Sequence, residues 1–207
     1  AIACYNKAIV LKPDYVKAHN NLGNTLKELG KLDEAKASFN QAIALNPNYA
    51  EAHNNLGNTL KELGKLDEAK ASFNQAIALK PDYAEAHYNL ANTLKELGKL
   101  DEAIACYNKA IVLKPDYVKA HNNLGNTLQE LGKLDEAKAN FNKAIVLKPD
   151  YAEAHYNLAF MKKFYSQDKQ YFKMQELYLD EKISEENRCH INFGLAKACE
   201  DLEDYKQ

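Results

Sequence analysis

The stretch NNLGNTLKELGKLDEAKASFNQAIAL begins at Asn20 and returns unchanged at Asn54, placing Gly57 seven residues before Gly64-Lys65. Glycines that end in a lysine cradle phosphates when four residues separate them and Ser or Thr follows the lysine. Here six residues intervene and Leu66 follows Lys65. Those six read as helix, so their amides point at their own carbonyls and not at an anion. The glycines are structural. Five histidines, His19, His53, His87, His121 and His155, recur every 34 residues and raise the question of metal. A zinc ligand must come within about 2.0–2.1 Å of its ion, whereas positions one repeat apart on packed helices lie on the order of 10 Å apart. Their angular position falls on the buried side, beside Leu56. The pattern predicts packing residues satisfied by a backbone partner, with no metal site. No Ser/His/Asp or Cys/His pairing has workable geometry, so neither catalytic residues nor a cofactor are expected.

Composition narrows the function classes further. The 207 residues carry a formal charge of −2, which argues against a nucleic-acid surface or a polybasic membrane contact. No apolar run approaches the roughly 18 residues a membrane-spanning helix needs. Cys4, Cys106, Cys189 and Cys199 form no C-x-x-C pair, so the default setting is reducing and cytoplasmic. Cys189 and Cys199 lie ten apart on one predicted helix and read as core thiols. The chain starts at Ala1 without a Met or a signal-like segment, and its true N-terminus is expected to be missing.

The elements that must position any binding residue are set by the period. Pro13, Pro47, Pro81, Pro115 and Pro149 are spaced by 34, as are Gly30, Gly64, Gly98 and Gly132, and residues 1–26 recur identically as 103–128. Each unit reads as two helices. Ala52, Leu56, Gly57, Leu60 and Leu63 make one apolar helical face, and Gly64 stops that helix by taking positive φ. Asp67 is expected to cap the second helix, whose buried stripe is Ala69, Phe73, Ala76, Ile77 and Leu79. Pro81 ends it, and Asp82 with Glu85 reads as a capping box for the next unit. One hairpin of short helices cannot bury its apolar face alone, so neighbours must stack.

His53-x-x-Leu56-Gly57-x-x-Leu60, Ala69-x-x-x-Phe73 and Pro81 together resemble the tetratricopeptide repeat signature, with His where the signature has Trp and Leu where it has Tyr. The resemblance implies an all-α, right-handed superhelical solenoid. Residues 1–15 would hold the second helix of a truncated repeat, 16–151 four full repeats, and 152–207 a degenerate repeat with C-terminal capping helices. It also implies that first helices line a concave groove, and the stripe opposite the leucines is then Glu51, Asn55, Asn58 and Glu62. Across the array this gives one column of Asn21, Asn55, Asn89, Asn123 and Asn157 and a second of Asn24, Asn58, Asn92 and Asn126, with Tyr88 and Tyr156 preceding two of the first. A side-chain amide offers a donor and an acceptor, which suits peptide backbone of any sequence. The column is similar to the asparagine ladder of O-linked N-acetylglucosamine transferase repeats, which holds peptide main chain. A lysine–arginine clamp for a carboxylate is not expected. The position before the first column is Asn20, Asn54, Tyr88, Asn122 or Tyr156, and no repeat carries Arg.

After Leu158-Ala159 the pattern breaks. Helices are predicted at about 168–179 and from Ser184 onward, with Glu203 at the turn-glycine position and Tyr205 partly recovering the unit. Phe160, Phe164, Tyr171 and Phe172 are expected to glue this cap to the last repeat. The segment 160–207 loosely resembles the junction between a bacterial repeat array and a C-terminal sulfotransferase domain, and the sequence reads as a fragment of a longer chain. Residues 1–12 form a second helix without its partner, exposing Ile2, Tyr5, Ile9 and Leu11, so head-to-tail self-association is expected. The sequence thus points to a protein- or peptide-binding scaffold. The alternative is an accessory, substrate-presenting domain of a larger sulfotransferase or glycosyltransferase.

Overall fold

A computed structural model describes residues 1–203, and every described secondary-structure element is an α-helix. The helices fall into two compact units, Ala1–Lys114 and Pro115–Gln207. The first holds α1 (Ile2–Leu11), α2 (Val16–Glu28), α3 (Leu32–Leu45), α4 (Ala50–Glu62), α5 (Leu66–Leu79), α6 (Ala84–Glu96) and α7 (Leu100–Leu113). The second holds α8 (Val118–Glu130), α9 (Leu134–Leu147), α10 (Ala152–Phe160), α11 (Lys169–Leu179) and α12 (Glu185–Asp201).

In the first unit α2 with α3, α4 with α5 and α6 with α7 form hairpins, and α1, α3 and α5 also pack on α2, α4 and α6 in turn. The turns are built by glycine. Gly30, Gly64 and Gly98 sit at φ 73°, Lys65 N–H donates to Leu60 O and Gly64 N–H to Lys61 O, both at 2.9 Å. This is the Schellman arrangement, in which a left-handed residue lets the last free carbonyls be satisfied. The core is small and repetitive: Ala35, Phe39 and Ala42, with their equivalents Ala69, Phe73, Ala76 and Ala103, Tyr107, Ala110, have no exposed surface. A Cβ built on Gly57 would lie 2.6 Å from the Phe73 ring. The glycine therefore sets how closely the phenylalanine meets the helix beside it.

The two expected caps are not made. The first turn of α5 starts at Leu66 with Lys65 as its N-cap, which puts Asp67 inside the helix, and no side chain caps the end. Asp67 and Glu68 instead place negative charge beside the positive end of the helix dipole. Likewise Tyr83, not Asp82, is the N-cap of α6, and Glu85 pairs with Lys114 at 3.5 Å.

In the second unit α8 and α9 repeat the hairpin, and α10 packs on α9. The degenerate end departs from the pattern. The carboxylate of Asp168 accepts from the Gln170 and Tyr171 amides to start α11, and Ser184 Oγ accepts from Asn187 N–H to start α12. Phe164 and Tyr171 are buried in the cap core with Met174 and Ile191. Phe160 and Phe172, expected in the same role, remain 47% and 54% exposed. α10 ends at Phe160, and α11 touches it only over a short stretch, so these two rings find no inner wall. Cys189 is exposed, which corrects its reading as a core thiol, while Cys199 is half-buried. Glu203 does take the turn-glycine conformation, at φ 55°, and Tyr205 lies outside the described residues.

Candidate functional site

The histidines resolve as the spacing required. In each repeat the ring Nε2 lies at the carbonyl oxygen of the proline six residues earlier: His19 to Pro13 at 2.9 Å, His53 to Pro47 at 3.0 Å, His87 to Pro81 at 3.0 Å, His121 to Pro115 at 3.3 Å and His155 to Pro149 at 3.0 Å. A carbonyl can only accept, so Nε2–H donates, and the histidine ties the start of its own helix to the preceding turn. Burial is the main force lowering the pKa of His155. The bond to Pro149 O opposes it, Lys173 adds to it, and Asp150 weakly offsets it.

In the first unit the asparagine stripe lies where first helices meet. Asn55 Nδ2 donates to Asn20 Oδ1 at 3.1 Å, and Asn89 Nδ2 donates to Asn54 Oδ1 at 3.0 Å. The acceptors Asn20 and Asn54 are each 5% exposed. A buried amide oxygen without a partner is costly, and the following repeat supplies that partner. One donor of the first column is thus spent on holding neighbouring repeats in register. The side-chain Oδ1 atoms of Asn55 and Asn89 have no partner among the described residues, and Asn21, at the start of the column, is exposed.

The second column is less committed. Asn24 and Asn58 are half-buried, and their side-chain amides have no partner among the described residues. Asn92 differs, because Tyr107 Oη donates to its Oδ1 at 2.6 Å. Tyr88 lies beside the Tyr107 ring, at 6.0 Å between centroids. Glu51 is half-buried. Glu62 is held by Lys27 at 3.6 Å, and Glu96 by Lys61 at 2.8 Å. These pairs reach from one repeat to the next and partly neutralise the acidic flank.

In the second unit the same register recurs once. Asn157 Nδ2 donates to Asn122 Oδ1 at 3.1 Å, and Asn122 Nδ2 donates to Glu153 Oε1 at 2.9 Å. Asn123 and Asn126 are half-buried on α8. Tyr156 packs against Phe160, His190 and Phe193, with ring centroids 4.8, 5.7 and 6.4 Å away, so α12 covers much of its ring.

Sequence reasoning missed the buried acceptors Asn20, Asn54 and Asn122. Their signal was the Asn-Asn doublet, which becomes Tyr-Asn at 88–89 and 156–157. It also missed Lys27 and Lys61, which reach forward to the glutamates of the following repeat.

Comparisons with known proteins agree with this architecture. The family model described as a TPR repeat matches residues 1–30, 23–64, 57–98 and 91–132, and one described as a tetratricopeptide repeat matches 118–151. No curated protein matches the chain. Among solved structures it is similar to YrrB, described as a TPR protein with an unusual peptide-binding site. That match has a TM-score of 0.69 and 24% identity, covering 99% of this chain and 95% of that one. PilW, a type IV pilus biogenesis factor, aligns with a TM-score of 0.75 and 24% identity, over 90% of this chain and 87% of that one. The first TPR of Spaghetti, bound to the HSP90 peptide SRMEEVD, aligns at 0.56 and 26% identity, over 56% of this chain and 93% of that one.

Proposed function

Because the chain belongs to the tetratricopeptide-repeat family, we propose that it is a non-catalytic scaffold capturing extended peptide or protein segments along the asparagine columns of its first helices. The observation that carries this reading is the amide inventory of α2 and α4. Among the described residues Asn24 and Asn58 keep both side-chain donor and acceptor, and Asn55 keeps its side-chain Oδ1. Packed helices lie about 8–10 Å apart and an extended chain advances about 3.3 Å per residue, so successive repeats meet backbone groups about three residues apart. The Spaghetti repeats align with this chain and hold a peptide, which supports the same use here.

The test is a peptide array probed with the native chain, Asn24→Ala/Asn58→Ala and Asn55→Ala. The double variant should lose at least 10-fold in affinity with an unchanged helical spectrum, since it breaks no side-chain bond among the described residues. Peptides retained at full affinity by the double variant would remove the columns from the binding site. The alternative, presentation of substrates to a catalytic domain of a larger transferase, uses the same face. A phosphate-binding loop encoded downstream of Gln207 would favour it.

The self-association read from the sequence rests on α1, which has no buried residue and leaves Val10 and Leu11 each 78% exposed, with Ile2, Tyr5 and Ile9 half-covered. A second copy is the proposed occupant of this apolar face. Light scattering should give a mass that rises with concentration and falls back for Leu11→Lys. A strict monomer at high concentration would end the idea.

A further inference from the structure

The cap of the second unit contains an opening that the regular repeats do not need. In a full repeat the second helix lies along the first. Here α10 stops at Phe160, and α12 takes its flank through Tyr156 and Ala159, while α11 packs mainly on α12 and stands off from α10. The result is a cleft of about 950 Å³ between α9, the end of α10 and α11. Its apolar wall is Ile145, Val146, Pro149, Leu158 and Phe172. Val146 is 72% exposed, as is its equivalent Val112 in a regular repeat, and Phe172, which the cap adds beside it, is 54% exposed, so the apolar surface runs across two helices. Contiguous apolar surface rimmed by polar groups is the mark of an interaction site.

The rim is cationic. Lys138, Lys162, Lys169 and Lys173 line it against one acid, Glu176, in a chain whose overall charge is −2. Lys173 meets Glu176 at 2.7 Å, Lys138 lies 3.9 Å from Asp135, and Lys162 is paired with Asp168. Such partly exposed pairs contribute little and exchange readily for another carboxylate. Lys169 has no partner among the described residues.

A third feature sets where the anion can sit. His155 lines the cleft and is 1% exposed, and its Nδ1 is a buried atom without a partner among the described residues. With Nε2–H committed to Pro149 O, Nδ1 carries a lone pair and can only accept. Lying just behind the wall, that lone pair disfavours a carboxylate against this part of the cleft and leaves the anion to the lysine rim. From Lys138 to Val146 the α9 wall runs about 12 Å at 1.5 Å per residue, room for about four residues of extended chain.

We propose that this cleft is a second docking site, separate from the asparagine columns, for a short acidic peptide segment carrying one apolar side chain. The apolar side chain would sit on Val146 and Phe172, and its flanking carboxylates would meet the lysine rim, away from His155.

The test uses the native chain, isotope-labelled, titrated with a pool of hexapeptides in which acidic residues flank a single Leu or Phe. Controls are the same pool with Lys for each acid, and decanoate. The acidic pool should shift the Ile145, Val146 and Leu158 methyl signals and the His155 ring nitrogens, more weakly as salt is raised. Lys138→Glu/Lys169→Glu/Lys173→Glu should cut affinity at least 10-fold, and Val146→Asp, at an exposed position, should do the same without touching the rim. Asn24→Ala/Asn58→Ala should leave these shifts intact, which separates this site from the columns. No shift at millimolar peptide, shifts confined to the asparagine helices, or saturation by decanoate alone would each overturn the proposal.

Discussion

At the residue scale, the repeats contain their own mutational comparison. Gly23, Gly57 and Gly125 face Phe39, Phe73 and Phe141, whereas the positions 34 residues after Gly57 and Phe73 are Ala91 and Tyr107. Where the glycine is replaced by alanine, the ring is tyrosine, and its hydroxyl is anchored on Asn92. Gly57→Ala alone should cost about 1–3 kcal/mol, the range for overpacking a core, because the new Cβ would meet Phe73 at 2.6 Å. Adding Phe73→Tyr should recover part of that loss in urea unfolding, with Asn58 receiving the new hydroxyl. The recovery should come with weaker peptide binding, since Asn58 is then occupied. His155 gives the pH prediction. Its pKa is lowered in the fold, chiefly by burial, so between that value and the unfolded value of about 6.5 the unfolded chain binds the extra proton. Stability is therefore full above pH 6.5 and falls as the pH drops below it. The urea midpoint should decline between pH 7.5 and 5.5, and His155→Gln, which keeps a donor for Pro149 O, should flatten that decline.

At the element scale, the hairpin turn rests on one backbone angle. Gly64 sits at φ 73°, and a Cβ there would meet no other atom within 4 Å. Gly64→Ala consequently tests conformation alone. It should destabilise by about 1–2 kcal/mol, the cost of the left-handed region for an L-residue, read as a lower thermal midpoint with normal helicity. The degenerate end uses different means. Asp168 caps α11 with its carboxylate and holds Lys162 as well. Asp168→Ala should cost about 1 kcal/mol for the cap. The loss should fall on the cap signals in hydrogen exchange and leave the α2–α7 amides unchanged. The contrast with Asp67, an acid at the same end of a helix that caps nothing, comes from two residues of register, since Lys65 holds the N-cap of α5 and Asp168 that of α11.

At the scale of the whole molecule, stability is a sum of hairpins and the interfaces between them. Removing residues 50–83 excises one whole period and joins Tyr49 to Ala84, the same junction type that Tyr83-Ala84 already forms. The shortened chain should keep its helicity per residue and unfold at lower urea. If it failed to fold, the nearest-neighbour account of these repeats would be wrong. The 34-residue period, the glycine turns, the proline stops and the alanine–phenylalanine stripe could all be read from the chain, because each follows from local backbone preference or helical spacing. The capping reading failed for Asp67 and Asp82 because a cap depends on where the first turn starts, which packing shifts by a residue or two.

By itself, then, the sequence determined that this is a stack of helical hairpins, which face of each hairpin is buried, and which side chains stand in columns. Those properties are periodic, and periodicity is visible in one dimension. Tertiary structure alone decided which amides are already used. Asn55 gives a donor to Asn20 and Asn92 receives Tyr107, while among the described residues Asn24 and Asn58 keep their side-chain amides uncommitted. Hydrogen bonds between side chains 35 residues apart depend on the distance between helices, which no local pattern encodes. The cleft beside α11 arises for the same reason, from a helix that the broken repeat no longer holds against its neighbour.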